Sequence, residues 1–121
     1  MSKKEIDLGE YVKSILDQKN IDTILNLQPA CRIKISDPDK LNELIVYLLN
    51  YFNSLTHHPL NIAVDDEKDG IMLSFIIATD LDSIPAFDIQ LDRILRVIRA
   101  QKRLVFEKSK YVQLLVTFKS S

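Results

Sequence analysis

Only two glycines occur in this 121-residue chain, Gly9 and Gly70. A loop that cradles phosphates needs backbone that approaches closely and takes positive φ, so a glycine-rich phosphate loop has little to be built from. Cys31 is the single cysteine. No internal disulfide can form, and a reducing compartment is implied. Cys31 lies in the strand-like run "ACRIKIS", where a half-buried structural thiol is expected rather than a nucleophile. An excess of one charge is missing too. The net charge of −1 gives no reason to expect nucleic acid or an anionic membrane. No apolar run approaches the roughly 20 residues of a spanning helix, and "MSKKEIDLGEYV" lacks the apolar stretch of a signal peptide. A cytoplasmic protein without membrane insertion is the expectation.

What is present suits a packed core. Hydrophobic residues make up 46% and charged residues 27%, a globular rather than disordered balance. One domain over residues 1–121 fits the length, and a chain of this mass buries roughly two-thirds of its unfolded surface.

Leu8, Tyr11, Val12, Ile15 and Leu16 recur at helical spacing and predict a helix over Leu8–Gln18. "DTILNLQ" and "CRIKIS" alternate as strands around a turn at Pro29. Asp37 is a good N-cap, and Pro38 follows at the first helical position, where its missing N–H costs nothing. Leu41, Leu44, Ile45, Leu48, Leu49, Phe52 and Leu55 then form one stripe, the strongest element in the chain. "LNIAVD" and "GIMLSFIIATD" predict a hairpin, its second strand central because "FIIA" is apolar on both faces. "AFDIQLDRILRVIRAQ" predicts a long helix with Leu91, Ile94, Leu95 and Ile98 inward. "RLVFE" and "YVQLLVTF" predict a closing hairpin around "KSK". This order implies an α+β fold: a two-layer α/β sandwich, a mixed sheet with about three helices on one face. The strands come largely as pairs, and the first pair has the option of a lateral hairpin.

At this point the sequence resembles the ATP-binding domain of sensor histidine kinases, part of the wider GHKL ATPase group. The similarity begins at "EIDLGEYVKSIL" and runs without a gap through "CRIKISDPDKLNELIVYLLNYFNSLT", which resembles the N box and the strand before it. Asp37, Pro38, Leu41, Leu48, Leu49 and Thr56 fall where the family favours those types, and Lys40 replaces a usual arginine. The remaining element order matches to the end, so the resemblance spans nearly all of the chain.

The resemblance implies a nucleotide site whose atoms this sequence does not supply. In the N box an asparagine amide oxygen coordinates Mg²⁺, which demands hard oxygen ligands in tight geometry. The gapless alignment places Tyr51 there, and Tyr47 at an earlier favoured asparagine position. A phenol is a poor magnesium ligand, and its ring fills space the phosphates require. Asn50 lies roughly 100° and Asn53 roughly 160° around the helix from Tyr51, out of reach unless the leucine stripe turns out of the core. The family's D-x-G-x-G motif corresponds to "DLDSIP". Asp80 matches the adenine-reading aspartate, Asp82 replaces the first glycine, and Pro85 matches a proline often found afterwards. The glycine-rich lid has no counterpart, since only "AFD" separates this motif from the next helix. Tyr47, Tyr51, Asp80 and Asp82 are therefore expected to mark a vestigial nucleotide pocket that takes neither ATP nor Mg²⁺.

Other candidates are weaker. His57 and His58 suit a solvated turn better than a phospho-accepting or metal-binding role. Asp65, Asp66, Glu67 and Asp69 form an acidic hairpin tip without a calcium-loop pattern. Asp80 and Asp82 as paired acid–base carboxylates lack a recognisable substrate pocket. Arg93, Arg96 and Arg99 recur at steps of three beside the core face of the last helix, and Arg103 follows just past it. They read as a solvated face partly paired with Asp92 and Glu107, or as a docking strip for an acidic protein partner. No catalytic residue and no metal site stands out. The expectation is a non-catalytic histidine-kinase-like interaction module in signal transduction, with a kinase or receiver-type protein partner or a second copy of itself. The alternatives are a working ATP-binding kinase domain and a small-ligand sensor floored by Tyr47 and Tyr51.

Overall fold

A computed structural model describes residues 3–68 and 70–119. Asp69 of the acidic tip lies outside the described residues. The element order is β1 (Lys4–Asp7), α1 (Leu8–Leu16), β2 (Thr23–Leu27), β3 (Arg32–Ile35), α2 (Pro38–Asn53), β4 (Leu60–Glu67), β5 (Gly70–Ala78), α3 (Ile89–Val97), β6 (Ala100–Glu107) and β7 (Tyr111–Lys119).

The main sheet has five strands in the order β2-β4-β5-β7-β6, and β1 and β3 form a separate antiparallel pair. Within the main sheet β2 runs parallel to β4, and the other neighbours are antiparallel. The sheet is therefore mixed, as the sequence predicts, and β5 holds its centre. Alternation sets one face toward the helices. Leu60, Ile62 and Val64 on β4, Leu73, Phe75 and Ile77 on β5, and Val112, Leu114 and Val116 on β7 are all buried. Against this face lies the stripe of α2, in which Leu41, Leu44, Ile45, Leu48, Leu49 and Phe52 are fully buried. Burying each such side chain contributes about 1.5–3 kcal/mol. The Phe52 and Phe75 rings stack at 5.6 Å and join α2 to the sheet centre. Asp37 caps α2, accepting from the Lys40 amide at 3.3 Å.

Several boundaries differ from the sequence expectation. Helix α1 stops at Leu16, so Asp17 and Gln18 fall in a turn, and Leu55 lies past the end of α2. Strand β1 has no counterpart in the sequence reading. Strands β2 and β3 do not pair with each other. Ala30, at φ +61°, turns the chain so that β2 docks beside β4 while β3 returns to meet β1. Helix α3 is shorter at both ends than "AFDIQLDRILRVIRAQ" suggests. Asp88 caps it by accepting from the Gln90 amide at 3.0 Å, which leaves Ala86 and Phe87 in the preceding loop. At its other end Arg99 takes φ +56°, the left-handed conformation that ends helices, and β6 starts at once. Gly70 opens β5 at φ +143°, where an added Cβ would sit 2.2 Å from the Phe118 carbonyl oxygen. No helix among the described residues is long and apolar enough to cross a membrane.

Candidate functional site

The C-terminal half of α2, the segment 79–88 after β5 and the β6–β7 turn meet at one end of the sandwich. The buried stripe fixes the rotation of α2, so Tyr47 and Tyr51, one turn apart, share the flank facing segment 79–88, while Asn50 and Asn53 are exposed. The register that would bring either asparagine inward is not the one adopted.

Both phenols bind that segment. Tyr51 Oη donates to the Pro85 carbonyl, and the Asp88 amide donates to Tyr47 Oη at 2.9 Å. The rings of Tyr47 and Tyr51 stack at 6.2 Å, and Phe87 folds back onto Tyr51 with centroids 4.5 Å apart. Phe52 meets Tyr51 edge-on at 5.2 Å, which links this cluster to the core. Ile84 also packs against the core from within the segment. Burial first, and then the neighbouring Tyr47, push the Tyr51 hydroxyl above the ordinary tyrosine value, so it remains a neutral donor to Pro85.

Further ties hold the start of the segment. The Thr79 amide donates to the Lys110 carbonyl at 3.0 Å, and the Thr79 hydroxyl accepts from the Leu81 amide at 3.2 Å. Thr56, one of the positions the resemblance singled out, donates its hydroxyl to the Ala78 carbonyl at 2.8 Å. Asp82 accepts from the Ser109 hydroxyl at 3.0 Å, and the Ser109 amide bonds the Leu81 carbonyl at 3.0 Å. Asp82 thus faces the β6–β7 turn, whereas Asp80 is exposed. Of the four pocket candidates, Tyr47 and Tyr51 come together, and Asp82 belongs to a neighbouring contact. Phe87 and Ser109 carry no sequence signal, and Pro85 is marked only by the resemblance, not as a partner of Tyr51. "PAFD" continues smoothly into a helical pattern, and only the capping aspartate at 88 marks the break.

The arginine strip divides. Arg93 and Arg96 project from the outward face of α3, between the exposed Ile89 and Val97. Arg99 follows at the helix end. Arg103 pairs with Leu115 across β6 and β7, and alternation from the buried Ala100 puts it on the opposite face of the sheet. The acids expected to pair with the strip bind lysines instead: Asp92 takes Lys102 at 3.2 Å and Glu107 takes Lys110 at 2.8 Å. Among the described residues none of the four arginines makes an ion pair.

His57 and His58 are exposed in the loop after α2, and no cluster of His, Cys, Asp or Glu among the described residues could hold a metal. Cys31 is buried, and desolvation, then Asp66, Asp7 and Asp65, raise its thiol above the usual value, which suits a packed thiol rather than a nucleophile.

No protein-family model matches the chain, and no curated protein matches it in sequence. Solved structures do match. The catalytic domain of histidine kinase ThkA superposes with TM-score 0.73 at 14% identity, covering 98% of this chain and 97% of that one. The histidine kinase domain of the E. coli osmosensor EnvZ gives 0.79 at 8% identity, over 100% and 91%. The fold is that of a histidine-kinase catalytic domain. Full-length ShkA, solved with AMPPNP, gives 0.75 at 10% identity and matches over 100% of this chain and 32% of that one. At such identities the histidine-kinase likeness concerns the path of the chain, and the site rests on this chain's own side chains.

Proposed function

We propose that this chain is a histidine-kinase-like domain that does not bind Mg²⁺–ATP and acts as a non-catalytic protein-interaction module in signal transduction. The supporting observation is Tyr51. The resemblance assigns its position to a magnesium-binding asparagine, and its hydroxyl is spent on the Pro85 carbonyl while its ring carries Phe87. A magnesium ion would find a neutral phenol there, and phosphates would have to displace an aromatic cluster. The segment that would cover a nucleotide is short, lacks glycine and is tied to α2 by both tyrosines. The same hydroxyl bonds weigh against a ligand pocket floored by Tyr47 and Tyr51, because both groups already have partners.

The fold's likeness to kinase catalytic domains suggests a kinase or receiver-type partner, or a second copy of this chain, met in the cytoplasm without turnover. Arg93 and Arg96, without an ion pair among the described residues and flanked by exposed Ile89 and Val97, are candidate contacts with an acidic surface. Calorimetric titration of Mg²⁺–ATP into the pure protein tests the reading. The expected result is no saturable heat and no thermal shift up to millimolar nucleotide. Saturable sub-millimolar binding would reinstate a working ATP-binding domain.

A further inference from the structure

A groove of about 730 Å³ opens at the end of the sandwich away from the tyrosine cluster. One wall is β3 with its flanks, contributing every residue from Arg32 to Ser36. The other wall comes from the start of β5, the end of β7 and the end of α3, including Ile71, Phe118, Val97 and Arg99. Consecutive β3 residues line it although their side chains alternate between faces, so the groove follows the strand's edge as well as one face.

That edge is open. Among the described residues strand β3 pairs only with β1, in the register Lys4↔Ile35, Glu5↔Lys34, Ile6↔Ile33 and Asp7↔Arg32. The Leu8 amide bonds the Cys31 carbonyl at 2.9 Å and continues this register. In an antiparallel ladder hydrogen-bonded pairs alternate with non-bonded ones, so Cys31, Ile33 and Ile35 turn their backbone groups toward β1. The N–H and C=O groups of Arg32 and Lys34 therefore point the other way, and among the described residues nothing bonds them. An edge of this kind is a template for a further strand.

The side chains state what kind. Arg32 and Lys34 share one face of the edge, and Lys3, Arg99 and Lys119 also line the groove. Among the described residues the carboxylates there are Glu5 and Asp66. Glu5 pairs with Arg32 at 3.1 Å, but the two side chains are 50% and 64% exposed, and such pairs are readily exchanged. Between the two cations Ile33 faces the core side.

We infer that the free edge of β3 accepts an extended segment of a protein partner carrying acidic, apolar and acidic residues in succession. The acids stand opposite Arg32 and Lys34, and the apolar residue turns inward beside Ile33. This deepens the interaction reading above and rests on it. The affinity comes from main-chain hydrogen bonds, and the selectivity from paired charges across the new rung.

The test uses a short synthetic peptide alternating Glu and Val, a control with Lys for each Glu, and amide NMR with hydrogen exchange on the full chain. Expected are saturable shifts at Arg32, Lys34 and Ser36, and slowed exchange at the Arg32 and Lys34 amides. The Lys peptide should bind at least about tenfold more weakly, as should Lys34→Glu. Lys34→Pro removes a donor from the free edge while sparing the ladder to β1, and should also abolish the slowed exchange. Equal binding of both peptides, or shifts without slowed exchange, would overturn the proposal. Shifts confined to α3 around Arg93 and Arg96 would overturn it too, while leaving an interaction module in place. Binding at β3 in a chain that also binds Mg²⁺–ATP would uphold it and remove the non-catalytic reading instead.

Discussion

At the scale of single residues Tyr51 does the most. Its ring bridges Phe52 and Phe87, and its hydroxyl holds Pro85. The position of Tyr51 on α2 was legible from the leucine period. Its partners were not, because a contact spanning 34 positions leaves no periodic trace in either segment. Tyr51→Phe keeps the ring and removes the bond, so it should cost about 1 kcal/mol in urea unfolding at neutral pH. The two proteins should differ further in alkali. The folded phenol titrates above the unfolded one, so its contribution is fully present below about pH 10 and fades as pH rises through the shifted value. Wild type should therefore lose more stability than Tyr51→Phe between neutral and strongly alkaline pH. Tyr11, raised by burial and then Asp39, leaves an alkaline loss common to both. Parallel pH profiles would show that Tyr51 is not held as a neutral donor.

At the scale of elements, long periodic segments were read well and short ones poorly. Helix α2 declares itself by a cap, a proline and a stripe, all set by local chemistry. Strands β2 and β3 were found, but their partners were not, since a four- or five-residue run fits several neighbours and the turn at Ala30 decides. Strand β1, "KEID", carries only Ile6 as an apolar residue and gives no alternation to read. The start of α3 was missed because Phe87 continues the helical pattern but packs outward from it onto Tyr51. This explains the role of Asp88, which caps α3 and bonds Tyr47 through its own amide. Asp88→Ala should cost about 1 kcal/mol, with faster amide exchange concentrated at Gln90 and Leu91. Leu48→Ala, in the fully buried stripe, should cost about 2–5 kcal/mol and weaken the whole fold together. If Asp88→Ala instead destabilised every amide equally, α3 would not be a separable element.

At the scale of the whole molecule the proposed loss of nucleotide chemistry is distributed. The metal position belongs to α2, the glycines to the stretch after β5, and the lid to the segment before α3. These are now joined into one packed unit by Tyr47, Tyr51 and Phe87. The resemblance implies each substitution separately, whereas their joining depends on the three elements meeting in space. On this view, restoring one part does not restore the site. The Tyr47→Asn/Tyr51→Asn double variant supplies the amides the resemblance calls for, yet it leaves Asp82 in place of a glycine and the short segment unchanged. It also removes two rings and both hydroxyl anchors, so unfolding stability should fall by about 3 kcal/mol, and amides between Ile84 and Asp88 should exchange faster. Mg²⁺–ATP should still give no saturable binding at millimolar concentration, as judged by calorimetry at a temperature where the variant is folded. Sub-millimolar affinity in the double variant would mean that two phenols alone bar the nucleotide, and that the scaffold behind them retains a working site.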